Sequence, residues 1–201
     1  MSTISRGLPP GGLVLGSTSP YRRELLGRLG LPFDTARPDA DETALPNESP
    51  EMLVRRLAEA KARSVAATRP ETLVIGSDQV AVLDDAVIGK PGSPDAAREQ
   101  LRRASGRSVR FLTGLCLLDT GSDQSWIIVE PFTVHFRELD AEQIDRYLEA
   151  EQPYDCAGSF KSEGLGIALF ERLEGDDPNS LVGLPLIRLV SLLAAAGVSV
   201  P

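Results

Sequence analysis

A single segment, residues 75–82 (Ile-Gly-Ser-Asp-Gln-Val-Ala-Val), constrains the fold of this chain more than any other. Aliphatic and β-branched runs stand on both sides of Asp78, and they predict one strand that is covered on both faces. A carboxylate inside such a strand needs a cation, hydrogen-bond donors or a metal ion, because a bare buried charge is strongly unfavourable. Two interpretations stay open: a structural carboxylate that caps nearby backbone amides, or a functional group in a polar site.

Other polar segments favour the functional interpretation, because together they resemble a site for an anion. They are residues 16–23 (Gly-Ser-Thr-Ser-Pro-Tyr-Arg-Arg), 41–43 (Asp-Glu-Thr), 89–91 (Gly-Lys-Pro) and 158–164 (Gly-Ser-Phe-Lys-Ser-Glu-Gly), with Lys61. Such a site has to be local, because acidic residues outnumber basic ones by 29 to 21 and the net charge is −8. This balance argues against a nucleic-acid-binding protein, which needs an extended basic surface.

The length of 201 residues is sufficient for one hydrophobic core. We expect a flexible N-terminus over residues 1–11 and a single domain over residues 12–201. Cys116 and Cys156 lie in dissimilar contexts without a disulfide framework, so both are expected to be reduced thiols. The N-terminus lacks an apolar signal region and no membrane-length apolar stretch follows, which predicts a cytoplasmic location without membrane contact.

Strands alternate with helices along the chain, which predicts an α/β fold with a mixed, partly antiparallel central sheet flanked by helices. Ser19, Ser49 and Asp140 are typical helix caps, and Pro20 and Pro50 stand at first helical positions. The predicted helices are 20–29, 50–68, 95–104, 140–150 and 185–197, and the predicted strands are 13–15, 72–83, 87–88, 109–118 and 126–136. The last two strands are expected to be long antiparallel neighbours.

The segment after the first predicted strand has the features of an anion cradle. Ser17, Thr18 and Ser19 carry hydroxyls beside the exposed amides at the start of a helix, where the helix dipole favours negative charge. Arg22 and Arg23 follow, but neighbouring side chains on a helix point about 100° apart. At most one arginine is therefore expected to reach a phosphate. The alternative is a capped helix with two solvated arginines.

Lys61 stands in the middle of an apolar helical stripe that runs from Val54 to Val65. Its ammonium could extend from the core to water, or it could face a cleft and neutralise phosphate. Both interpretations remain open from the sequence.

Lys90 follows a predicted hairpin whose turn length decides its position. A two-residue turn over residues 84–85 places Lys90 opposite Gln79 and on the face away from Asp78, whereas a three-residue turn places it opposite Val80. We predict a longer turn or a bulge that brings the Lys90 ammonium to the side of the Asp78 carboxylate.

Glu42 lies in an acidic loop and could join Asp78 as an oxygen ligand for a Mg²⁺-type cation that keeps most of its waters. The alternative for Glu42 is a solvated surface carboxylate. His135 is the sole histidine of the sequence, so zinc chemistry and serine–histidine triads have little support. We interpret His135 as structural.

As a set, these motifs resemble the Maf proteins, nucleoside triphosphate pyrophosphatases whose fold is similar to that of the inosine triphosphate pyrophosphatases. The resemblance runs from Leu13 to about Ala195 and includes residues 17–23, 41–42, 60–62, 76–78, 89–91, 157–160 and 181–185. It implies two lobes around a cleft and a cytoplasmic, often dimeric enzyme. Such an enzyme cuts between the α and β phosphates of a nucleoside triphosphate with a divalent metal (Mg, Mn or Co).

The resemblance also implies roles for individual residues, with Asp78 as the proton acceptor. The catalytic residues are then Asp78, Lys90, Lys61 and Arg22, the substrate-binding residues are Ser17, Ser19, Tyr21, Arg23, Gln79, Lys161 and Glu163, and the metal ligands are Glu42 and Asp78.

Tyr21, Gln79 and Glu163 separate branches within the family, and this triplet resembles the 7-methyl-GTP pyrophosphatase branch. The branch that acts on dTTP and UTP usually carries Arg, Thr and Gln at these positions. A carboxylate such as Glu163 can accept adjacent N–H donors of guanine, and N7 methylation gives the purine a positive charge that suits Glu163 and the face of Tyr21. The alternatives are a pyrophosphatase for dTTP, UTP or another modified nucleotide, and a noncatalytic nucleotide-binding regulator of septum formation.

Overall fold

The structure is a computed structural model that describes residues 7–200. The strands are β1 (Leu13–Gly16), β2 (Asp34–Ala36), β3 (Leu73–Leu83), β4 (Ala86–Ile88), β5 (Ser108–Asp119), β6 (Gln124–Phe136) and β7 (Phe170–Glu174). The helices are α1 (Pro20–Gly27), α2 (Pro50–Ala66), α3 (Pro94–Ala104), α4 (Ala141–Glu151), α5 (Asn179–Val182) and α6 (Leu186–Ala195). Short 3₁₀ helices cover Ala157–Ser159 and Leu165–Leu169.

The strands form one mixed, seven-stranded sheet in the order β2-β1-β3-β5-β6-β7, with β4 paired to β3. β2, β1 and β3 are parallel, whereas β3, β5, β6 and β7 are antiparallel neighbours. The predicted fold class and the long antiparallel pair are therefore confirmed. The short strands β2 and β7 were not predicted, because their side chains are mostly exposed and show no apolar alternation.

Three helices, α1, α2 and α4, begin directly after the capping residues that the sequence predicts. The side chains of Ser19, Ser49 and Asp140 accept hydrogen bonds from the first turns of α1, α2 and α4. A hydroxyl or carboxylate at these positions satisfies a backbone amide that has no partner inside the helix. Ser93 caps α3 in the same way, with Pro94 at the first helical position.

The central strand β3 has one fully paired edge and one interrupted edge. It pairs with β5 from Leu73 to Val82 along the first edge. Along the other edge it pairs with β1 as far as Gly76 and with β4 from Ala81 onward. No strand of the described chain covers this edge over residues 77–80, so Asp78 and Gln79 lie in a gap of the sheet.

Helix α2 lies directly on β3 and β5 because two glycines leave room for its backbone. A Cβ atom at Gly76 would come within 2.1 Å of the Ala58 backbone oxygen, and one at Gly114 within 2.1 Å of the Val54 backbone oxygen. Side chains alternate along a strand, so Asp78 points to the same face as Gly76. The close approach of α2 therefore brings its own side chains over Asp78.

Two large hydrophobic clusters lie on either side of the gap in β3. One packs α1 and α6 against β1 and the first half of β3. The other joins α3, α4 and β7 to the second half of β3, and four phenylalanines with edge-to-face ring contacts stand at its centre. These are Phe111, Phe136, Phe160 and Phe170. The division gives the two lobes that the family resemblance implied.

The hairpin between β3 and β4 corrects the prediction about Lys90. The register pairs Leu83 with Ala86 and Ala81 with Ile88, so the turn contains only residues 84 and 85. Both aspartates adopt positive φ angles, 53° and 61°, as a tight hairpin turn requires. The prediction of a longer turn or bulge is wrong. β4 ends at Ile88, however, and the chain then leaves the ladder, so Lys90 is not bound to the face that the register assigns to it.

Residues 1–6 of the expected flexible N-terminus lie outside the described residues. Gly11 donates a backbone hydrogen bond to the Glu71 oxygen at 2.7 Å, and Leu8 packs against the cluster that contains α6. Within residues 7–200 no helix is long and apolar enough to cross a membrane.

Candidate active site

A cleft with a volume of about 1160 Å³ opens at the gap in β3. Its walls come from the β1–α1 turn, the loop before α2, the middle of β3, the segment after β4 and the loop before β7. The polar and charged lining residues are Ser17, Thr18, Ser19, Tyr21, Arg22, Arg37, Asp39, Glu42, Lys61, Asp78, Gln79, Lys90, Asp155, Cys156, Ser162 and Glu163. Of the residues predicted for the site, all but Arg23 and Lys161 line this cleft.

Lys61 joins the two acidic groups of the predicted site. Its Nζ atom lies 2.6 Å from Oδ1 of Asp78 and 2.7 Å from Oε1 of Glu42. The residue is only 7% exposed, so its ammonium does not extend to bulk water but faces the cleft. Of the two interpretations of Lys61, the structure selects the cleft-facing one.

Asp78 keeps one carboxylate oxygen available to the cleft. Oδ1 accepts the hydrogen bond from Lys61, whereas Oδ2 has no hydrogen-bond partner among the described residues. No buried side-chain oxygen or nitrogen in residues 7–200 lacks a partner, so Oδ2 must be open to solvent. Because Asp78 lines the cleft, this solvent is the water of the cleft.

The two arginines of α1 face different surroundings, as their helical spacing requires. Arg22 lines the cleft, and its Nε donates a hydrogen bond to the Gly183 backbone oxygen at 2.8 Å. Burial lowers the pKa of Arg22, and the charges of Asp78 and Glu42 oppose this shift. Arg23 is exposed and does not line the cleft. Arg22 is therefore the arginine that can reach a phosphate there.

Lys90 shares the cleft with Asp78 despite the two-residue turn. It lines the cleft at the point where the chain has left the β3–β4 ladder. The pKa of Glu42 lies below its ordinary value, chiefly because Lys61 donates a hydrogen bond to it. The charges of Lys90 and Arg22 add to this lowering. Three cations thus act on one acidic group, which makes this end of the cleft a cationic wall with two carboxylates.

The predicted anion cradle forms the rim next to this wall. Oγ of Ser17 accepts a hydrogen bond from the Ser19 backbone nitrogen at 3.1 Å, and Oγ of Ser19 caps α1 through the Arg22 nitrogen at 3.4 Å. Residues 16–22 all line the cleft. The start of α1 therefore points into the cleft, as expected of an anion-binding helix terminus.

The opposite end of the cleft carries no cation from the segment that builds it. Residues 155–157, Phe160, Ser162 and Glu163 form this wall, and Tyr21 faces it. Burial, together with the nearby groups Cys156, Asp155 and Glu163, raises the pKa of Tyr21 to about 12. Burial also raises the pKa of the Cys156 thiol to about 12, so both groups are neutral near pH 7. We call this end the base end and the Lys61 end the phosphate end, after the parts of a nucleotide that we expect there from the sequence.

Lys161 belongs to the same loop but points elsewhere. Its Nζ donates a hydrogen bond to the Glu151 backbone oxygen at 2.9 Å, and it does not line the cleft. The expectation that Lys161 contacts substrate finds no support in this geometry. The physical reason is that the C-terminal carbonyls of α4 attract its ammonium.

Glutamine 79 is held from the face of the sheet opposite to α2. Its Nε2 lies 2.7 Å from the Ser180 oxygen, 3.3 Å from the Leu181 oxygen and 3.0 Å from Oγ1 of Thr113. Ser77, which shares this face, donates to the Gly183 oxygen at 2.9 Å. The turn around α5 thus fixes Gln79, as α2 fixes Asp78.

The carboxylates at this site suit a divalent cation of the magnesium type. Within residues 7–200, no three side chains of His, Cys, Asp or Glu cluster as metal ligands. Two carboxylates, Glu42 and Asp78, converge at the phosphate end. Mg²⁺ commonly binds to one or two carboxylates and takes its other oxygens from water and substrate phosphates. Glu42 and Asp78 could hold such an ion together with a nucleotide.

Sequence reasoning missed several residues of the site. Arg37 and Asp155 line the cleft, and no sequence pattern distinguishes them from other surface charges. Gln100 on α3 was also missed, although it connects two walls: it accepts from Oγ of Ser159 at 2.6 Å and donates to the Gly89 oxygen at 3.1 Å. Only contacts across the fold reveal these three residues.

The structural interpretation of His135 agrees with its position, and Cys116 also lies outside the site. His135 on β6 contacts Ser108 on β5 and both Arg172 and Glu174 on β7, and it does not line the cleft. Cys116 is fully buried in the core. Neither residue joins the candidate site.

Comparison with known proteins agrees with this geometry. A family model described as Maf-like protein matches residues 12–196. A protein of Nitrosococcus oceani is 63% identical over 188 residues, which cover 94% of both chains. Proteins of Pseudomonas aeruginosa and Vibrio cholerae are each 60% identical, over 94% of this chain and 98% and 97% of their own lengths. All three relatives carry the name 7-methyl-GTP pyrophosphatase. This chain, with its cleft at an interrupted central strand, belongs to the Maf family.

Proposed function

We propose that this protein hydrolyses 7-methyl-GTP to 7-methyl-GMP and diphosphate. The observation that carries the proposal is the state of Asp78, which has one oxygen bound to Lys61 and the other open to the cleft. Cations that can neutralise a triphosphate surround this carboxylate. The names of the close relatives support the same activity.

The reaction that we propose uses the charged groups at the phosphate end. A water molecule next to Oδ2 of Asp78 attacks the α-phosphorus, Asp78 accepts its proton, and the bond between the α-phosphorus and the bridging oxygen breaks. Diphosphate leaves with the bond electrons on that oxygen. Lys61, Lys90 and Arg22 stabilise the negative charge that develops on the phosphates.

A divalent cation (Mg, Mn or Co) belongs to this proposal as the cofactor. Glu42 and Asp78 would hold it, and when bound it neutralises phosphate charge as a Lewis acid. The fit rests on the two carboxylates at the phosphate end and on the space that water and phosphate oxygens can fill.

The base end favours a cationic base. Its charged lining residues, Asp155 and Glu163, are both acidic, and Tyr21 offers an aromatic face. 7-Methylguanine carries a positive charge on its ring system, whereas uracil and thymine are neutral. Carboxylates and aromatic faces attract such a cation. This wall therefore supports 7-methyl-GTP over UTP and dTTP.

A nucleotide panel scored for diphosphate release tests the activity. We expect metal-dependent diphosphate release with the highest kcat/KM for 7-methyl-GTP among 7-methyl-GTP, GTP, UTP, dTTP and other modified nucleotides. A higher value for UTP or dTTP would assign the protein to the pyrimidine branch. Binding of nucleotide without turnover would instead make it a nucleotide-binding regulator.

Two further properties belong to the proposal. We propose a cytoplasmic enzyme that acts on a free nucleotide, without nucleic acid or membrane as partner, and that forms a homodimer. Sedimentation of the purified protein tests the homodimer, since a monomer would sediment according to the mass of one chain, 21.6 kDa.

A further inference from the structure

The side-chain amide of Gln79 has only one chemically acceptable orientation. Two of the atoms next to its nitrogen are the backbone oxygens of Ser180 and Leu181, at 2.7 and 3.3 Å. A carbonyl oxygen accepts hydrogen bonds and cannot donate them. If the amide were reversed, its oxygen would face two other oxygens at these distances. The hydrogen-bond network therefore assigns Nε2 to this position.

Thr113 completes this arrangement from the neighbouring strand. It pairs with Gln79 across the β3–β5 ladder and is fully buried. Oγ1 of Thr113 donates its hydrogen to the Ser180 oxygen at 3.0 Å. The lone pairs of Oγ1 then accept a hydrogen bond from Nε2 of Gln79, also at 3.0 Å. The hydroxyl thus connects the glutamine to the turn that holds it.

The oxygen of the Gln79 amide faces the cleft. Oε1 has no hydrogen-bond partner within residues 7–200, and no buried side-chain polar atom in that range lacks one. Oε1 is therefore open to solvent, and Gln79 lines the cleft. A glutamine normally offers both donors and an acceptor, but here its two N–H groups are directed at the protein.

We infer that Gln79 presents only a hydrogen-bond acceptor to the nucleobase, and that Thr113 is a positioning residue that maintains this orientation. The inference rests on the proposed function, since it concerns how that site reads its base. Gln79 then selects a base edge that carries an N–H group at this point. Guanine offers two adjacent donors, N1–H and the 2-amino group, so that Oε1 of Gln79 and the Glu163 carboxylate can both accept from it. Uracil and thymine offer a single donor, N3–H, between the acceptors O2 and O4, so one of the two protein acceptors would face an oxygen.

The orientation can be tested without any substrate. Nuclear magnetic resonance of the ¹⁵N-labelled protein identifies the Gln79 side-chain amide as the signal lost in Gln79→Met. We expect its protons to exchange with water more slowly than those of an exposed glutamine such as Gln152, and to exchange faster in Thr113→Val. Thr113→Ser, which keeps the hydroxyl, should retain the protection. Unprotected amide protons in the wild type would overturn the assigned orientation.

The reading of the base is tested by the ratio of kcat/KM for 7-methyl-GTP to that for UTP. Gln79→Met keeps the side-chain length but removes the acceptor, so the ratio should fall about 5-fold or more, the effect of one lost hydrogen bond. Thr113→Val should also lower the ratio, by a smaller factor. Thr113→Ser keeps the hydroxyl and should leave the ratio near the wild-type value. A role in folding alone would lower both activities equally, and an unchanged ratio in Gln79→Met would overturn the inference.

The two tests separate this inference from the proposed function. If no nucleotide is hydrolysed, the proposed function is wrong, and the amide exchange still decides the orientation. If 7-methyl-GTP is hydrolysed and the Gln79→Met ratio is unchanged, the function stands and the inference is refuted. Should Thr113→Val fail to fold, Gln79→Met and the wild-type exchange rates remain decisive.

Discussion

Asp78 and Gln79 are neighbours on one strand, yet the protein holds them in opposite ways. Asp78 faces α2 and is fixed by a charged side chain, the Lys61 ammonium at 2.6 Å. Gln79 faces the turn around α5 and is fixed largely by backbone oxygens. The first contact depends on the identity of two side chains, whereas the second depends mainly on the path of the chain.

Under the proposed function this difference corresponds to two tasks, since Asp78 acts on the phosphates and Gln79 contacts the base. In that proposal the phosphate end needs groups of opposite charge, because it binds an anion and also provides a proton acceptor. The base end needs correctly oriented hydrogen-bonding groups more than charge, because hydrogen bonds to a base edge select by the positions of donors and acceptors. Backbone oxygens can orient a side chain such as that of Gln79 without adding charge to the site. Substitutions at the two ends should therefore affect turnover and base choice separately.

The largest expected effect concerns the proton acceptor. Asp78→Asn should lower kcat by roughly 100-fold or more, since general-base catalysis typically contributes about 10² to 10⁴. Diphosphate release under saturating 7-methyl-GTP measures it. Asp85→Asn, in the exposed hairpin turn, is the matched control and should leave kcat unchanged. Turnover of a folded Asp78→Asn protein within a few-fold of wild type would remove Asp78 from the mechanism.

The next effect concerns base choice. Replacing Tyr21, Gln79 and Glu163 with Arg, Thr and Gln should lower the ratio of kcat/KM for 7-methyl-GTP to that for UTP. Glu163→Gln alone should lower kcat/KM for 7-methyl-GTP by about 10-fold, because a lost contact to the base costs on the order of 1 to 3 kcal/mol and Gln retains one acceptor. Lys161→Gln, from the same loop but outside the cleft, is the control. An unchanged ratio in the triple variant would mean that these residues do not read the base.

A smaller effect separates the two arginines of α1. Arg22→Met should lower kcat/KM by on the order of 10-fold, because it removes a charged hydrogen-bond donor from the phosphate end. Arg23→Met should change it little, since Arg23 is exposed outside the cleft. Melting temperatures of both variants check that they fold. Equal losses in the two variants would contradict the division that the structure shows.

The smallest effect is a titration shift at the phosphate end. Lys61→Met should raise the pKa of Glu42 toward its ordinary value, since Lys61 is the main cause of its lowering. Carboxyl ¹³C chemical shifts measured against pH report this change. Glu48 is the control, because Arg56 holds its pKa at about 2 and Lys61 plays no part there. An unaltered Glu42 titration would show that the Lys61–Glu42 pair does not form in solution.

The lowered pKa of Glu42 also makes the stability of the folded protein depend on pH. A lowered pKa in the folded state means that Glu42 stabilises the protein above its ordinary pKa and that this contribution is lost as the pH falls below 4.5. The Lys61→Met variant should therefore lose less stability than the wild type over that acidic range. The effect should be small, because the Glu42 side chain is 64% exposed and solvent screens the pair.

Local sequence patterns were sufficient for most helices and for the long strands. Ser19, Ser49 and Asp140 cap helices as predicted, and the predicted strands 109–118 and 126–136 lie within β5 and β6. These features depend on residues within a few positions of one another. β2 and β7 were missed because their strand form comes from pairing with β1 and β6 and not from their own side chains.

The hairpin shows where local reasoning fails. Asp84 and Asp85 both tolerate positive φ, so the sequence could not exclude a longer turn. The same limit applied to the arginines, because helical spacing shows that Arg22 and Arg23 diverge but not which of them faces the cleft. Packing against the Gly183 oxygen, 161 residues away, decides this.

The sequence by itself determined the residue types of the site, the α/β class and the starts of most helices and of the long strands, because periodicity and capping act over a few residues. Only the tertiary structure decided that residues 77–80 lie at an unpaired edge, that Lys61 lies between Asp78 and Glu42, and that Gln79 directs its oxygen to the cleft. Each of these outcomes depends on atoms from segments far apart in the chain, whose distances are set by the packing of α2 and α5 on opposite faces of one sheet.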